Sequence, residues 1–157
     1  MQTSSKKAFT MIELVFVIVV IGILSAIAIP KLAATRDDAV VTKAIATLSS
    51  VRSALATERQ KRILRGDFAP LTSLGGATGN DKTLFDNYNG DANASSVLEY
   101  PIRSCASGAT GCWEKTGPTT YIYRMPHNTS TVTFTLDPAK FRLGCPSSDT
   151  NCQLLTK

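Results

Sequence analysis

The sequence predicts an α+β protein in which one long N-terminal helix packs on a small antiparallel sheet of three to four strands. Two patterns in its 157 residues support this prediction. Apolar residues first form an almost continuous run and then recur every three to four positions, as in a helix with one buried face. Near the C-terminus apolar and polar residues alternate, as in half-buried strands.

The first element is an apolar segment from Phe9 to Pro30 that contains a single acid, Glu13. The 21 residues from Phe9 to Ile29 are enough to cross a bilayer, which takes about 20 helical residues. An ionised carboxylate costs roughly 2.5 to 3.5 kcal/mol in the hydrocarbon core, so Glu13 needs a partner or a purpose. We assign residues 9–30 to a hydrophobic transmembrane helix.

The same helix continues as an amphipathic half, residues 31–65. One face carries apolar residues at steps of three and four: Val41, Ala44, Leu48, Val51 and Leu55, with Ile45 beside them. Gly66 follows Arg62 and Arg65 and is a natural C-terminal cap. We therefore expect one helix from Phe9 to Arg65, about 85 Å long.

A weak point is expected in the middle of this helix. Pro30 lacks an N–H and clashes with the carbonyl of Ala26, so it favours a kink or local loosening. Gly22 weakens the same stretch. A permanent kink with no further role is the alternative interpretation.

From Gly66 to Ser96 the chain is rich in Gly, Asn, Asp, Ser and Thr, so little regular structure is expected. Five residues should pack this connection onto the domain: Leu71, Leu74, Leu84, Phe85 and Tyr88. Aligning Gly90 with the glycine of an EF-hand puts Phe85 and Ser96 where that calcium loop needs Asp and Glu. We therefore predict no metal site and interpret the loop acids as solvated. A calcium site of another kind stays the alternative, with these candidate ligands: Asp81, Asp86, Asp91 and Asp137.

The C-terminal part is predicted to be a sheet. Thr119 to Arg124 alternates around Tyr121 and Tyr123, and Thr131 to Leu136 alternates strictly. The turn between them contains Pro126, His127, Asn128 and Ser130. Shorter strands near Trp113 and from Phe141 to Leu143 complete the sheet, whose apolar face should cover Ile45, Leu48 and Leu55.

The four cysteines lie in two polar, turn-rich loops and allow three pairings. Because each loop can fold back on itself, we favour Cys105 with Cys112 and Cys145 with Cys152. Each closure of eight residues contributes about 2.5 kcal/mol in the chain-entropy model. A zinc site of four thiolates is the rival, although zinc ribbons prefer gaps of two to four residues.

Composition argues against several classes of function. The formal charge of +5 is mild and only weakly favours nucleic-acid binding. No P-loop, nucleophile elbow or paired-carboxylate motif is present, and the one histidine, His127, lies in the predicted turn. We expect a chain that is not an enzyme, needs no cofactor, and folds as one small domain on its helix.

The start of the chain resembles a known export signal. The run Lys6-Lys7-Ala8-Phe9-Thr10-Met11-Ile12-Glu13-Leu14, with the apolar residues up to Pro30, closely resembles the class III signal of type IV pilins and type II secretion pseudopilins. The resemblance implies that residues 1–8 are a leader, which a prepilin peptidase removes between Ala8 and Phe9 before methylating the Phe9 amine. The family usually has Gly where this chain has Ala8.

The resemblance also gives Glu13 a purpose. A new amine at Phe9 is protonated at neutral pH, and two opposite charges about 4 Å apart attract by roughly 4 kcal/mol at an intermediate dielectric. Glu13 is thus expected to neutralise the amine of its own or a neighbouring subunit during filament assembly. By the same resemblance, the segment from Gly22 to Pro30 is the part that adapts when subunits pack.

Three other interpretations of this segment compete with the filament interpretation. An ordinary secretory signal cut after Ala28 would place Glu13 inside its apolar core and Pro30 beside the cut. A simple membrane anchor fits the length but leaves Glu13 unexplained. An acid that only complements the helix dipole is compatible with the filament interpretation.

The function implied is that of a pilin-like structural subunit of a helical filament. Its partners would be copies of itself and related subunits, the prepilin peptidase, an inner-membrane assembly platform with its ATPase, and membrane lipid before assembly. Residues 66–157 would form a periplasmic globular domain anchored in the bacterial inner membrane. We lean towards a type II secretion pseudopilus, although its usual Asp-Pro-Trp-Gly run is reduced here to Asp137-Pro138-Ala139. The alternatives are a type IV pilus subunit, including one for DNA uptake, and a monomeric anchored ligand-binding domain.

Overall fold

The computed structural model describes residues 9–91, 93–127 and 130–157, with the backbone alone for Pro30, Ala33 and Ala34. Its fold is α+β, as predicted. Helix α1 is Met11–Leu64, which differs from the predicted bounds by two residues at its start and one at its end. The chain divides into an N-terminal unit that ends at Arg36 and a second unit, Asp37–Lys157.

The N-terminal unit is an exposed apolar helix. Its segment Met11–Ile29 has a mean hydropathy of 3.0, and none of it is buried. By length and composition it is able to cross a membrane. The stretch from Gly22 to Pro30 is α-helical throughout, so the predicted loosening there stays a prediction about assembly.

In the second unit α1 buries the face that its period predicts. Leu48, Val51 and Leu55 are at most 1% exposed, and Val41 and Ala44 are also buried. The helix ends in a Schellman motif, in which the N–H of Asp67 donates to the carbonyl of Arg62 and that of Gly66 to Ile63. Gly66 has a φ of 72°, a backbone conformation that is strained for residues with a side chain. Gly66 is therefore the cap that the sequence indicated.

Six strands accompany the helix in the described part of the chain. β1 (Thr83–Leu84) and β2 (Ile102–Arg103) form a small antiparallel pair. The main sheet contains β3 (Cys112–Lys115), β4 (Thr120–Arg124), β5 (Thr131–Asp137) and β6 (Arg142–Gly144) in that order, all antiparallel. The main sheet has the four predicted strands.

The inward face of the sheet forms the core with α1. Tyr121 and Tyr123 of β4 are buried, and so are the three apolar residues predicted on one face of β5: Val132, Phe134 and Leu136. The ring of Trp113 lies 5.0 Å from that of Phe134 and 5.2 Å from that of Tyr123. Ile45 packs at the margin and is only partly buried.

The connection after α1 is more ordered than its composition suggests. All five residues expected to pack it are buried: Leu71, Leu74, Leu84, Phe85 and Tyr88. Besides β1, it contains a 3-10 turn, Tyr88–Gly90. A second helix, α2 (Thr150–Leu155), was also not anticipated, although Asp149 caps it by accepting from the N–H of Asn151 and of Cys152. Both elements are too short to show a hydrophobic periodicity in the sequence.

Candidate functional site

The start of α1 is a capping box built from Thr10 and Glu13. The N–H of Glu13 donates to Thr10 Oγ1 at 3.3 Å, and the N–H of Thr10 donates back to Glu13 Oε2 at 3.3 Å. The Thr10 hydroxyl also donates to Glu13 Oε2. The threonine and the glutamate three residues later satisfy two N–H groups that the first helical turn would leave free. The Thr-x-x-Glu spacing was visible in the sequence, but Thr10 was not singled out there.

Glu13 has capacity for a further bond. In the described part of the chain its other oxygen, Oε1, has no hydrogen-bond partner. Phe9, which precedes the helix, is 82% exposed. Ala8 lies outside the described residues. The geometry thus holds one carboxylate oxygen on the helix and leaves the other accessible.

Gly22 and Pro30 both lie within α1. A methyl group added at Gly22 would have no heavy atom within 4 Å, so the glycine is not required by packing within this chain.

Both disulfides join the cysteines that the loop lengths favoured. Cys105 is bonded to Cys112, and Cys145 to Cys152. The rival hypothesis of a zinc site of four thiolates is wrong, because no cysteine is left free. The first disulfide ties the segment after β2 to the start of β3, and the second ties the end of β6 to α2.

Lys115 is a buried cation that sequence reasoning missed. It is 7% exposed, and its Nζ donates to Ser73 Oγ, Gly75 O and Gly76 O, each at 2.9 Å. Burial lowers the pKa of Lys115, and the charge of Asp86 opposes this shift. The alternation of β3 places Lys115 on the same inward face as Trp113, which is the signal that could have found it.

The candidate calcium ligands do not gather into one site. In residues 9–91, 93–127 and 130–157 no group of three acidic, histidine or cysteine side chains could hold a metal ion. Asp86 Oδ1 accepts from the N–H of Gly76 and of Asn87. Asp137 Oδ1 accepts from the N–H of Ala139 and of Lys140, and the bond from Lys140 is the main cause of its lowered pKa. These two carboxylates therefore organise turns.

His127 lies in the connection between β4 and β5, as predicted, and also contacts an acid on α1. Its Nδ1 lies 3.1 Å from Asp37 Oδ2, and its side chain is 54% exposed. The contact ties the turn after β4 to α1, next to the bond from Tyr123 Oη to the carbonyl of Val40. The role of this contact is structural.

Comparisons with known proteins identify a family motif at the start of α1. Residues 3–29 match the family model of the prokaryotic N-terminal methylation motif. The chain is 44% identical over 84 residues to the type IV narrow pilus major component PilA5 of Thermus thermophilus, and the match covers 52% of this chain and 72% of that protein. The chain belongs to the type IV pilin family. No solved structure matches this pilin.

Membership of this family accounts for the exposed apolar helix. A type IV pilin assembles with other subunits into a filament, so the surface of Met11–Ile29 is one that other molecules cover. The pilin then has two parts with different duties. The first is the apolar helix that begins with the capping box, and the second is the disulfide-bonded domain.

Proposed function

We propose that this pilin is a subunit of a bacterial type IV pilus. It enters the inner membrane through residues 9–30, with its domain in the periplasm, and then joins a filament whose core is the packed apolar helices. The observation that carries the proposal is the segment Met11–Ile29, which has a mean hydropathy of 3.0 and no buried residue. Such a surface is stable only in lipid or against neighbouring helices.

The proposed maturation follows from the matched motif at residues 3–29. A prepilin peptidase removes residues 1–8 and methylates the amine of Phe9. The new terminus lies four residues before Glu13, on the exposed side of the capping box. An assembly platform with its ATPase then lifts the subunit out of the membrane.

The proposed role of Glu13 is to accept a neighbouring subunit's Phe9 amine. Its two carboxylate oxygens are free for different bonds. Oε2 accepts from Thr10 at 3.3 Å, and Oε1 has no partner among the described residues. The pairing cancels two charges at the point where both leave water, which is where an unpaired carboxylate costs most. The cap and the charge pair are thus compatible uses of one side chain.

Two observations favour a pilus over the secretion pseudopilus, which was the function favoured from the resemblance alone. The relative is named as a pilus component. The chain also has only Asp137-Pro138-Ala139 in place of the Asp-Pro-Trp-Gly run that is usual in pseudopilins. The chain's role is accordingly proposed as structural, with no reaction of its own.

Two substitutions at one position separate the charge of Glu13 from its cap. Gln can replace Glu in a capping box, so Glu13→Gln keeps the bond to Thr10 and removes only the charge, whereas Glu13→Ala removes both. We expect both variants to insert into the membrane at wild-type levels and both to lose surface filaments, as measured by shearing, immunoblotting and negative-stain electron microscopy. Normal filaments from Glu13→Gln with none from Glu13→Ala would mean that the cap is essential and the charge is not.

Maturation is tested by the intact mass and N-terminal sequence of the protein from native membranes without reductant. We expect a chain that begins at methylated Phe9. A chain that still begins at Met1 would refute the proposed processing. Loss of secreted folded proteins in a deletion strain that keeps its surface filaments would favour the pseudopilus instead.

A further inference from the structure

The second unit carries a groove of about 960 Å³ along one flank of α1. Its walls are α1 from Arg52 to Ile63, strand β6 and the loop closed by the C-terminal disulfide. Four cationic side chains line it: Arg52, Arg59, Lys140 and Arg142. Among the described residues of the lining the one acid is Asp137, whose Oδ2 lies 3.6 Å from Lys140 Nζ. The groove is therefore strongly basic.

The arginines of this basic groove are not neutralised within the chain. Arg59 and Arg142 are exposed and have no carboxylate within 4.0 Å in the part of the chain that the structure describes. Arg52 Nε donates to the carbonyl of Leu143 at 3.1 Å. Burial lowers the pKa of Arg52, and the positive charge of Arg142 lowers it further. Two guanidinium groups thus repel each other with no acid between them, and an anion placed there would relieve the repulsion.

A second flank of α1 is covered by the connection that follows the helix, and this connection is acidic. The connection after the helix packs there, where Tyr88, Ser95 and Ser96 face Ser53 and Thr57. Residues 66–103 contain five acids and two bases, namely Asp67, Asp81, Asp86, Asp91 and Glu99 against Lys82 and Arg103. We call Glu99 and the 81% exposed Tyr100, which are adjacent and lie just before β2, the acidic flank. Among the described residues the carboxylate of Glu99 has no partner.

These two surfaces lie at opposite edges of the domain. The N–H of Cys105, just after β2, donates to the carbonyl of Trp113 in β3 at 2.9 Å, which places the β1–β2 pair beside β3. The basic groove adjoins β6, at the other end of the strand order. The two surfaces cannot meet within one chain, but two copies side by side bring them together. Contacts between different patches of identical subunits build open helical filaments.

We propose that the acidic flank of one subunit docks in the basic groove of the next. Glu99 is placed to neutralise Arg59 and Arg142, and the ring of Tyr100 offers a face to a guanidinium group. The occupant of the groove is thus a second copy of this chain, and the contact fixes which edges of neighbouring domains meet. The inference rests on the proposed function, because it requires a filament.

Reciprocal charge reversal in the full-length chain tests the contact in the pilus-forming host. Arg142→Glu and Glu99→Arg each place like charges together, which we expect to lower sheared filament yield by roughly tenfold or more. The double variant restores opposite charges with their positions exchanged and should recover most of that yield. Lys43→Glu is the matched control, since it reverses an exposed cation elsewhere on α1 and should leave the yield unchanged. Subunit abundance and non-reducing gel mobility verify that every variant is inserted and disulfide-bonded.

Several outcomes would overturn the contact. The contact is refuted if Arg142→Glu makes normal filaments. It is also refuted if the double variant is folded but its filament yield stays low. Arg142→Glu filaments that form normally but no longer bind a duplex oligonucleotide would assign the groove to nucleic acid instead. A wild-type chain that makes no filament overturns the proposed function and this contact with it, whereas normal Arg142→Glu filaments overturn the contact alone.

Discussion

Replacing Lys115 by Met tests whether the buried ammonium holds the connection after α1 onto the sheet. Met keeps the length and apolar stem of lysine but removes three donors, which now serve Ser73 Oγ, Gly75 O and Gly76 O at 2.9 Å. Ser73 Oγ still accepts from the N–H of Gly75, and Gly75 O from Tyr121 Oη. Gly76 O loses the one side-chain donor that the structure gives it.

The magnitude follows from these bonds. Three hydrogen bonds from a charged donor contribute about 1.5 kcal/mol each at the low end of their range, or about 4.5 kcal/mol together. Removing a buried ammonium recovers part of its desolvation cost, which we set at about 1.5 kcal/mol. We therefore expect Lys115→Met to lower the free energy of unfolding by about 3 kcal/mol.

Trp113 gives a local assay, because it is the one tryptophan in the chain and is 4% exposed. Its fluorescence during urea unfolding of the full-length protein in detergent micelles reports on the second unit alone. Lys82→Met is the matched control, since Lys82 is exposed and has no ion pair among the described residues; its effect should be within about 0.5 kcal/mol. A change below about 1 kcal/mol for Lys115→Met would refute a stabilising role.

Two further predictions concern the disulfides and the buried tyrosines. Replacing Cys105 and Cys112 together by Ser opens a loop of eight residues and should destabilise the domain by about 2.5 kcal/mol, as measured by the same fluorescence unfolding. Burial raises the pKa of Tyr88 and Tyr123 to about 12, so each phenol keeps its proton in the folded domain while the unfolded chain ionises from about pH 10. Stability should therefore fall between pH 10 and 12, by about 1.4 kcal/mol per pH unit for each tyrosine, and Tyr123→Phe should remove one such contribution.

These two predictions have their own controls. In the double serine variant the loop from residue 105 to residue 112 has no disulfide for a reductant to open. If the unfolding midpoint of this variant equals that of the oxidised wild type, the disulfide does not contribute to stability. For the tyrosines, an identical alkaline slope in wild type and Tyr123→Phe would show that this phenol ionises equally in both states. Below pH 10.5 the lowered pKa of Lys115 acts in the opposite direction, because the unfolded chain then binds the extra proton.

The sequence predicted those helices and strands that are long enough to show a regular spacing of apolar residues. The five apolar positions from Val41 to Leu55 define one helical face, and the alternation from Thr131 defines a strand that begins at that residue. The disulfide pairing was also accessible, because each partner lies seven residues from the other in a turn-rich loop. The role of Gly66 followed from the chemistry of helix ends.

The tertiary structure decided whatever depends on residues far apart in the chain. The pairing of Leu84 with Ile102 joins two strands of two residues, and no local pattern indicates such a pair. Lys115 looks like an ordinary strand cation until the fold brings Gly75 and Gly76 to it across about 40 residues. The basic groove likewise combines α1 with β6.

The sequence by itself determined the membrane-compatible helix, its family signal and the four main strands, because hydropathy, period and capping act within a few residues. Only the tertiary structure determined which charges are buried, which are neutralised and which face outward. The physical reason is that burial and charge pairing depend on distances in space, and the sequence does not state which of its charges the folded chain brings together.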